Sequence, residues 1–418
     1  MGTNESFGRC ADGSSRDLTP HGCCLGDATA PVIVLDIGGT KIAGGIAFPP
    51  SCAWDEKDVG SAAVASLEPA AVVVQKEAAV ASPQEATDAD AAGNAVAASS
   101  CDDDDTVPQL RFEHSRPTNP AAGGKAVLGE VIALARELAD EFIREYPHWH
   151  LGGVGIASAG VVDEVHGVIT SATDLIPAWA GTRLAEEVGR ALDLDVCVLN
   201  DVHAHALGEA RYGCARGKKS AVVLGVGTGI GGALITDGDI LSGAHSIAGH
   251  LGHIHHRLGE DMECSCGRFG HIESVASGSG VGALYGRRLA SLAQGQCEVE
   301  GDSPARGEDL EREFSGLDVQ LAAEAGCDVA LGVIRDSAYA LGQVMGSLAN
   351  TVDPEIFVLS GSMTKTGEMW WEPLREGYAS SAMDPLATTE ILKGSLGGKA
   401  PLLGAYARFI SRYDVTAR

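Results

Sequence analysis

Short apolar runs alternate along this chain with longer stretches of helical periodicity. Val32-Ile33-Val34-Leu35 leaves no polar position between its apolar ones, which predicts a strand covered on both faces, and a second strand follows from Ile42 to Phe48. From Pro49 to about Pro108 the periodicity disappears, and alanine, valine and acidic residues lead to the run Asp102-Asp103-Asp104-Asp105. Residues 49–108 therefore read as a disordered acidic insertion within a hairpin connection. Order resumes at Leu110-Arg111-Phe112. Over 122–145, the residues Val127, Leu128, Val131, Ile132, Leu134, Leu138 and Phe142 recur at helical spacing. Strands are predicted at Val154–Ala157, Val196–Leu199, Ala221–Leu224 and Ile356–Leu359, and each runs into a glycine turn or a polar pair. A buried helix is predicted over Leu341–Asn350 and is stopped by Asp353-Pro354. Strands alternating with helices, with glycine turns at strand ends, predict an α/β protein that holds its ligands at the strand termini.

Size and charge narrow the function. The 418 residues suffice for two domains, and 45% apolar content is ordinary for a globular protein. A net charge of −27 repels nucleic acid and anionic membranes, so neither is an expected partner. The 11 cysteines are scattered and odd in number, which fits a reducing compartment. No run of about 18 apolar residues predicts a membrane span. Residues 1–30 read as a disordered polar tail without a secretory pattern, and Cys23 and Cys24 within it read as incidental. The expected location is the cytoplasm.

Two glycine turns and a carboxylate carry the candidate chemistry. In Asp36-Ile37-Gly38-Gly39-Thr40-Lys41, the glycines let backbone N–H groups approach phosphate oxygens, Thr40 adds a hydroxyl, and Asp36 could hold the water shell of Mg²⁺. A plain hairpin turn is the alternative; a P-loop is excluded because the Gly-Lys-Ser/Thr ending is missing. The second turn, Gly225 to Gly232, holds Gly227, Thr228, Gly229, Gly231 and Gly232. Ala233-Leu234-Ile235 continues as strand to Asp237-Gly238, which favours a second phosphate cradle over a dinucleotide site. Asn200-Asp201 lies between the turns at a strand end. Transfer of a phosphoryl group to an alcohol needs a base for the hydroxyl proton, and Asp201 is the candidate, with a simple helix cap as the alternative.

A histidine and cysteine cluster occupies residues 249–273. His253, Cys264, Cys266 and His271 supply two imidazoles and two thiols, a set suited to structural, tetrahedral Zn²⁺. A reduced, metal-free pair of cysteines is the alternative, and His255 and His256 are alternative ligands. The spacing is not that of a nucleic-acid-binding finger.

With these motifs in this order, the chain from about Val32 onward resembles the ROK family of bacterial sugar kinases and regulators. Asp36–Lys41 resembles the family's first phosphate motif, Gly227–Gly232 its second, Leu359-Ser360-Gly361-Ser362 its adenosine-side turn, and Cys264-Ser265-Cys266-Gly267 the start of its zinc motif. The resemblance implies an actin-like ATPase (ribonuclease H-like) fold, α/β, with two domains around a cleft. Residues 31–199 would form the small domain and 200–398 the large one, with 399–418 a C-terminal helix returning to the small domain. It implies ATP with Mg²⁺, a sugar held by Asn200, His250, His253, Glu273, Ser158 and Gly160, and Gly361 on the adenosine side. A homodimer is expected because the family often forms dimers. Two departures stand out: His271 occupies the place of the family's third zinc cysteine, and His250 occupies the place where the glucokinases carry Glu. Ala248-Gly249-His250-Leu251-Gly252-His253 and Ile156-Ala157-Ser158-Ala159-Gly160 resemble the N-acetylmannosamine kinase subgroup. The expectation is phosphorylation of a 6-hydroxyl, with N-acetylmannosamine the preferred sugar and His250 as donor to its acetamido carbonyl. A ROK glucokinase and a sugar-sensing regulator are the alternatives. The regulator would need a basic helix-turn-helix, for which the segment before Val32 is too short and too acidic.

Overall fold

The structure, a computed structural model, describes residues 29–50, 106–172, 176–293 and 312–413. Residues 1–28 and 51–105 of the expected tail and acidic insertion lie outside the described residues, as do the Asp102–Asp105 run, Cys23 and Cys24. The first sheet contains β1 (Val32–Ile37), β2 (Lys41–Phe48) and β3 (Gln109–Pro117), followed by helix α1 (Gly124–Glu145) and strand β4 (Gly153–Ser158). The hairpin β5 (Val161–Asp163) and β6 (Val168–Ser171) and helix α2 (Leu184–Leu192) precede its last strand, β7 (Val196–Asn200). The strand order is β3-β2-β1-β4-β7, antiparallel in the first two pairings and parallel in the last two.

Helix α3 (Asp201–Tyr212) leads into the second sheet, which opens with β8 (Ala221–Val226), β9 (Ile230–Thr236) and β10 (Asp239–Ile240). Helices α4 (Glu273–Ala276), α5 (Gly278–Ala293), α6 (Gly316–Glu324) and α7 (Asp328–Val352) come next. Strand β11 (Ile356–Ser360), helix α8 (Glu368–Ser381), strand β12 (Glu390–Lys393) and helix α9 (Ala400–Tyr413) complete the chain. The order β10-β9-β8-β11-β12 repeats the pattern of the first sheet, with the same sequence of antiparallel and parallel pairings.

Packing explains the uninterrupted apolar strands. In β1, Ile33, Leu35 and Ile37 meet the α1 face of Val127, Val131, Leu134 and Phe142, while Val32 and Val34 meet Leu402, Tyr406 and Phe409 of α9. The strand is sandwiched, so both of its faces are apolar. The same holds for β8 and β11: Val222, Leu224, Phe357 and Leu359 join the large cluster under α5, α7 and α8, and Val223 and Val358 pack with Ala206 and Ala210 of α3. The first predicted helix starts at Gly124 rather than 122, because Pro120–Ala122 forms a 3₁₀ turn and Gly123 adopts φ 81°. The segment Leu341–Asn350 lies inside the 25-residue α7, whose early turns carry a weaker pattern in sequence. Helices α2, α4, α5, α6 and α8 went unread: α5 is rich in glycine, α8 contains Pro373, and α2, α4 and α6 are short.

Helix α3 touches both sheets and lies against α9, where alanine and glycine allow close approach. A Cβ added to Gly404 would fall 1.7 Å from the Ala204 carbonyl oxygen, and one on Gly208 would fall 2.2 Å from the Ala400 carbonyl. Alanine raises helix propensity by up to about 1 kcal/mol over glycine, whereas overpacking costs about 1–3 kcal/mol, so steric conflict wins. Gly404→Ala is therefore expected to lower the urea unfolding midpoint. An unchanged or raised midpoint would show that α3 and α9 separate freely.

Candidate active site

The ends of β1, β4 and β7 are level. Ile37 is opposite Ser158, and Ser158 is opposite Asn200. Three chain segments of the first sheet thus deliver Asp36, Gly160 and Asp201 to one edge. Asn200 is the N-cap of α3: its Oδ1 accepts from the N–H groups of Val202 (3.0 Å) and His203 (3.1 Å). Its amide nitrogen donates to the Gly160 carbonyl and to Asp201 Oδ1, both at 2.9 Å. Asn200 therefore acts on Asp201 rather than extending a free amide into the cleft, and the capping role belongs to Asn200, not Asp201.

Asp201 Oδ1 also accepts from the Val202 N–H at 2.9 Å. Burial pushes its carboxyl up to about 6, against these hydrogen bonds and the nearby His203, which favour the charged form. Asp36 is pushed up to about 7, first by burial and then by the charge of Asp201, with Lys41 opposing. The two carboxylates are therefore neighbours in a poorly solvated place. The first glycine turn is braced from β3's end: Thr118 donates its hydroxyl to the Gly38 carbonyl (2.7 Å), and Gly38 N–H donates to Lys41 (2.9 Å). Gly39, Thr40 and Lys41 lie on its accessible side.

In the second turn the glycines divide by use. Cβ atoms on Gly225 and Gly227 would meet open space. Gly229 backs onto the Glu273 carboxylate, while Gly231 admits Val202 of α3 and Gly232 admits Gly249 and Leu251. The last two glycines thus let β9 pack closely against α3 and the 249–251 loop. Thr228 is exposed and, with Gly278, Ser279, Phe314, Met363 and Lys365, lines a cleft of about 930 Å³. Gly361, at φ 101°, passes within reach of the Val226 carbonyl, where a Cβ would sit 2.3 Å away. Sequence reading missed the cleft's α5 and α6 walls, because its lining is assembled from four separated segments. The Gly278-Ser279-Gly280-Val281-Gly282 run was the available signal.

Against Gly232 of β9 lies the loop expected to hold sugar. His250 Nδ1 lies 2.9 Å from the Ile247 carbonyl, which can only accept, so Nδ1 carries the proton. Burial depresses the His250 pKa and keeps the ring neutral. Its Nε2 is then an acceptor, which corrects the expectation that His250 donates to an acetamido carbonyl. The His250 and His253 rings are stacked, with centroids 6.2 Å apart. Ser158 is fully buried and donates to the adjacent Ala159 carbonyl at 3.1 Å, so its hydroxyl faces the protein rather than a ligand. Gly160, at φ 101°, contributes its carbonyl to Asn200.

His253, Cys264, Cys266 and His271 converge, with their donor atoms all within 4.8 Å of one another. His253 Nδ1 is 3.2 Å from His271 Nδ1 and 3.5 Å from Cys264 Sγ, and Cys266 Sγ is 3.3 Å from His271 Nδ1. Neither His255 nor His256 joins the cluster: a Cβ on Gly270 would meet His255, and His256 Nε2 lies 3.2 Å from Gln343. Glu273 ties the cluster to the second glycine turn, accepting from Ser265 (2.6 Å), Cys264 (3.4 Å) and the Ile230 N–H (2.9 Å).

Two sheets of matching strand order, with glycine turns at matching corners and a carboxylate between them, define the actin-like ATPase fold with two domains around a cleft. The ROK family profile matches residues 128–412, and the chain belongs to that family. It is 30% identical over 290 residues to a glucokinase of Halalkalibacterium halodurans, covering 69% of this chain and 84% of that one. A Thermotoga maritima glucokinase is 31% identical over 293 residues, covering 70% and 87%. A ROK hexokinase structure from Thermus thermophilus superposes with TM-score 0.63 at 24% identity, over 93% of this chain and all of the other. The protein is a carbohydrate kinase.

The raised Asp201 pKa has a consequence for stability. A carboxyl whose folded pKa exceeds its unfolded value of 3.8 stabilises the fold when protonated, and that stability is lost as pH rises through about 6. Asp201→Asn is therefore expected to raise Tm at pH 8, with the gain shrinking as pH falls towards 4. A variant less stable than wild type at pH 8 would contradict the desolvation argument.

Proposed function

We propose that the protein transfers the γ-phosphoryl group of ATP to the 6-hydroxyl of a hexose or N-acetylhexosamine, with Asp201 as general base. The observation that carries this reading is the carboxylate of Asp201: Oδ1 is anchored by Asn200 and Val202, and among the described residues no other side chain bonds Oδ2, which leaves one oxygen of a partly desolvated carboxylate to take a proton. A pKa near 6 makes the group basic yet ionised at neutral pH. ATP would lie along the two glycine turns, with its nucleoside in the cleft beside Thr228 and Gly361. Asp36, desolvated beside a second carboxylate, offers the oxygen donor that a hydrated Mg²⁺ needs, and when bound that ion would neutralise phosphate charge.

The sugar would occupy the space between Asp201 and the His250–His253 face. Neutral His250 offers an acceptor there, as glutamate does in the family's glucokinases. Glucose, named in the curated relatives, is therefore the first reading. The second is N-acetylmannosamine, favoured by the Ala248–His253 motif, whose amide N–H could use the same acceptor. The expected cytoplasmic setting belongs to this proposal; among the described residues no helix is long and apolar enough to cross a membrane.

The His253, Cys264, Cys266 and His271 set fits zinc. Tetrahedral Zn²⁺ places two nitrogens about 3.3 Å apart and nitrogen and sulfur about 3.5 Å apart, close to the spacings found here. Histidine in the fourth place completes the set as cysteine would. Zinc held by Nδ1 of His253 would fix Nε2 as a donor, giving the sugar an acceptor and a donor on adjacent rings.

A coupled assay with glucose, mannose, N-acetylglucosamine and N-acetylmannosamine tests the reading. Turnover on at least one is expected, with an acid limb in kcat/KM near pH 6, and Asp201→Asn should lose about 10²–10⁴-fold in kcat. Absence of turnover on every sugar would favour a sensor, and near wild-type turnover by Asp201→Asn would remove Asp201 as the base. For the metal, elemental analysis should find one zinc per chain, and Cys266→Ser should lose zinc together with sugar affinity. Stoichiometric zinc in that variant would exclude Cys266 as a ligand.

A further inference from the structure

Three elements meet at His203, which has no part in the chemistry proposed above. It is the third residue of α3, two positions after Asp201, and only 2% exposed. Its Nε2 lies 3.0 Å from the Ala248 carbonyl, at the head of the loop that carries His250. A carbonyl can only accept, so Nε2 donates. Its Nδ1 faces Glu164, at the tip of the β5–β6 hairpin, with 3.7 Å between nitrogen and Oε1. Glu164 is held in turn by Arg408 of α9 (3.4 Å), and Arg408 also pairs with Asp239 of β10 (3.0 Å). The ring therefore reaches the Ala248 loop from α3, with the Glu164–Arg408 pair facing its other nitrogen.

On its other flank, the same loop is held by backbone fit. Gly249 adopts φ 93° and lies so close to β9 that a Cβ would fall 2.6 Å from the Gly232 carbonyl. This contact, with that of Gly252 on the Ile230 carbonyl, sets the loop's height over β9. The His203 bond ties the loop to α3.

We propose that His203 is a positioning residue for sugar recognition: its Nε2–H···O bond to Ala248 sets the distance between His250 and Asp201, and so aligns the sugar's recognition face with its reacting hydroxyl. The proposal rests on the kinase reading above and concerns sugar geometry alone, since Ala248 and His203 lie away from the cleft lined by Thr228 and Lys365.

Two variants of the full-length protein separate this role from a general packing role. His203→Phe keeps the ring and removes the donor, and His203→Gln keeps a donor nitrogen at similar reach. For Phe, KM for the sugar should rise about tenfold to a hundredfold, the magnitude expected from misplacing a reacting group by roughly 1 Å. KM for ATP should stay within about twofold, discrimination among the four sugars should narrow, and Gln should restore most of the loss. Equal changes in both KM values, or unchanged sugar KM and selectivity in Phe, would overturn the proposal. A measurement on the wild type decides the matter even where His203→Phe fails to fold. Ring ¹⁵N shifts should show His203 protonated at Nε2, and a bare Nε2 would eliminate the bond. The parent reading is judged separately, by wild-type turnover on any of the sugars.

Discussion

The N-terminus of α3 is held by one side chain, and much else depends on it. Asn200 Oδ1 accepts two backbone N–H groups that a helix start would otherwise leave unsatisfied, so the helix begins at Asp201 and nowhere else. The helix dipole and the Val202 N–H favour a charged carboxylate there, and burial opposes it. Burial is the larger effect, because it pushes the carboxyl up to about 6. Further along, Glu209 is fully buried and accepts from the Cys214 and Leu396 N–H groups (3.1 and 2.9 Å) and from the Ser395 hydroxyl (3.1 Å). His205 lies 2.8 Å from Ser360, next to Gly361. One helix thus anchors Asp201 at its start and the segments at Ser360 and Ser395 further along, so both ends of the proposed site are referred to a single helix.

The repeated strand order makes the difference between the two glycine turns informative. Both join the first and second strands of their sheets, yet only the first has a carboxylate, Asp36, in the strand leading into it. In the second, an apolar Val226 stands before the turn and the carboxylate comes from elsewhere, as Glu273 behind Gly229. Equivalent corners of one topology therefore carry different chemistry. The corner facing Asp201 can hold a cation, and the corner facing α5 presents backbone and the Thr228 hydroxyl. Glycine itself serves two ends here. At Gly225 and Gly227 it leaves room for a ligand, and at Gly231, Gly232 and Gly404 it leaves room for the protein's own chain.

Most of the fold was legible because its strands are sandwiched and read as apolar runs, and because the turns at their ends are short and chemically distinctive. The convergence of His253, Cys264, Cys266 and His271 was legible for a related reason: three of the four lie within eight residues, and a tight turn closed by Gly267 brings Cys264 and Cys266 together. What stayed hidden depends on distance in sequence. The ring nitrogen that His250 presents is decided by a carbonyl three residues away, through backbone geometry that no residue pattern specifies. The burial of the Ser158 hydroxyl, the occupied amide of Asn200 and the packing role of Gly231 follow from segments brought together only by folding.

Glu273 joins the two halves of the site most directly. One of its oxygens accepts from Ser265 and Cys264 in the metal loop, and the other accepts from the Ile230 N–H at the foot of the second glycine turn. A carboxylate with both oxygens engaged by separate elements resists movement of either, because displacing one breaks its hydrogen bonds. The loop carrying His253 and the turn facing the nucleotide cleft are therefore mechanically one piece. A cation among His253, Cys264, Cys266 and His271 would stiffen that piece without touching the nucleotide. In the proposed function, such a cation would have a reason to stand near Asp201 while taking no part in the transfer.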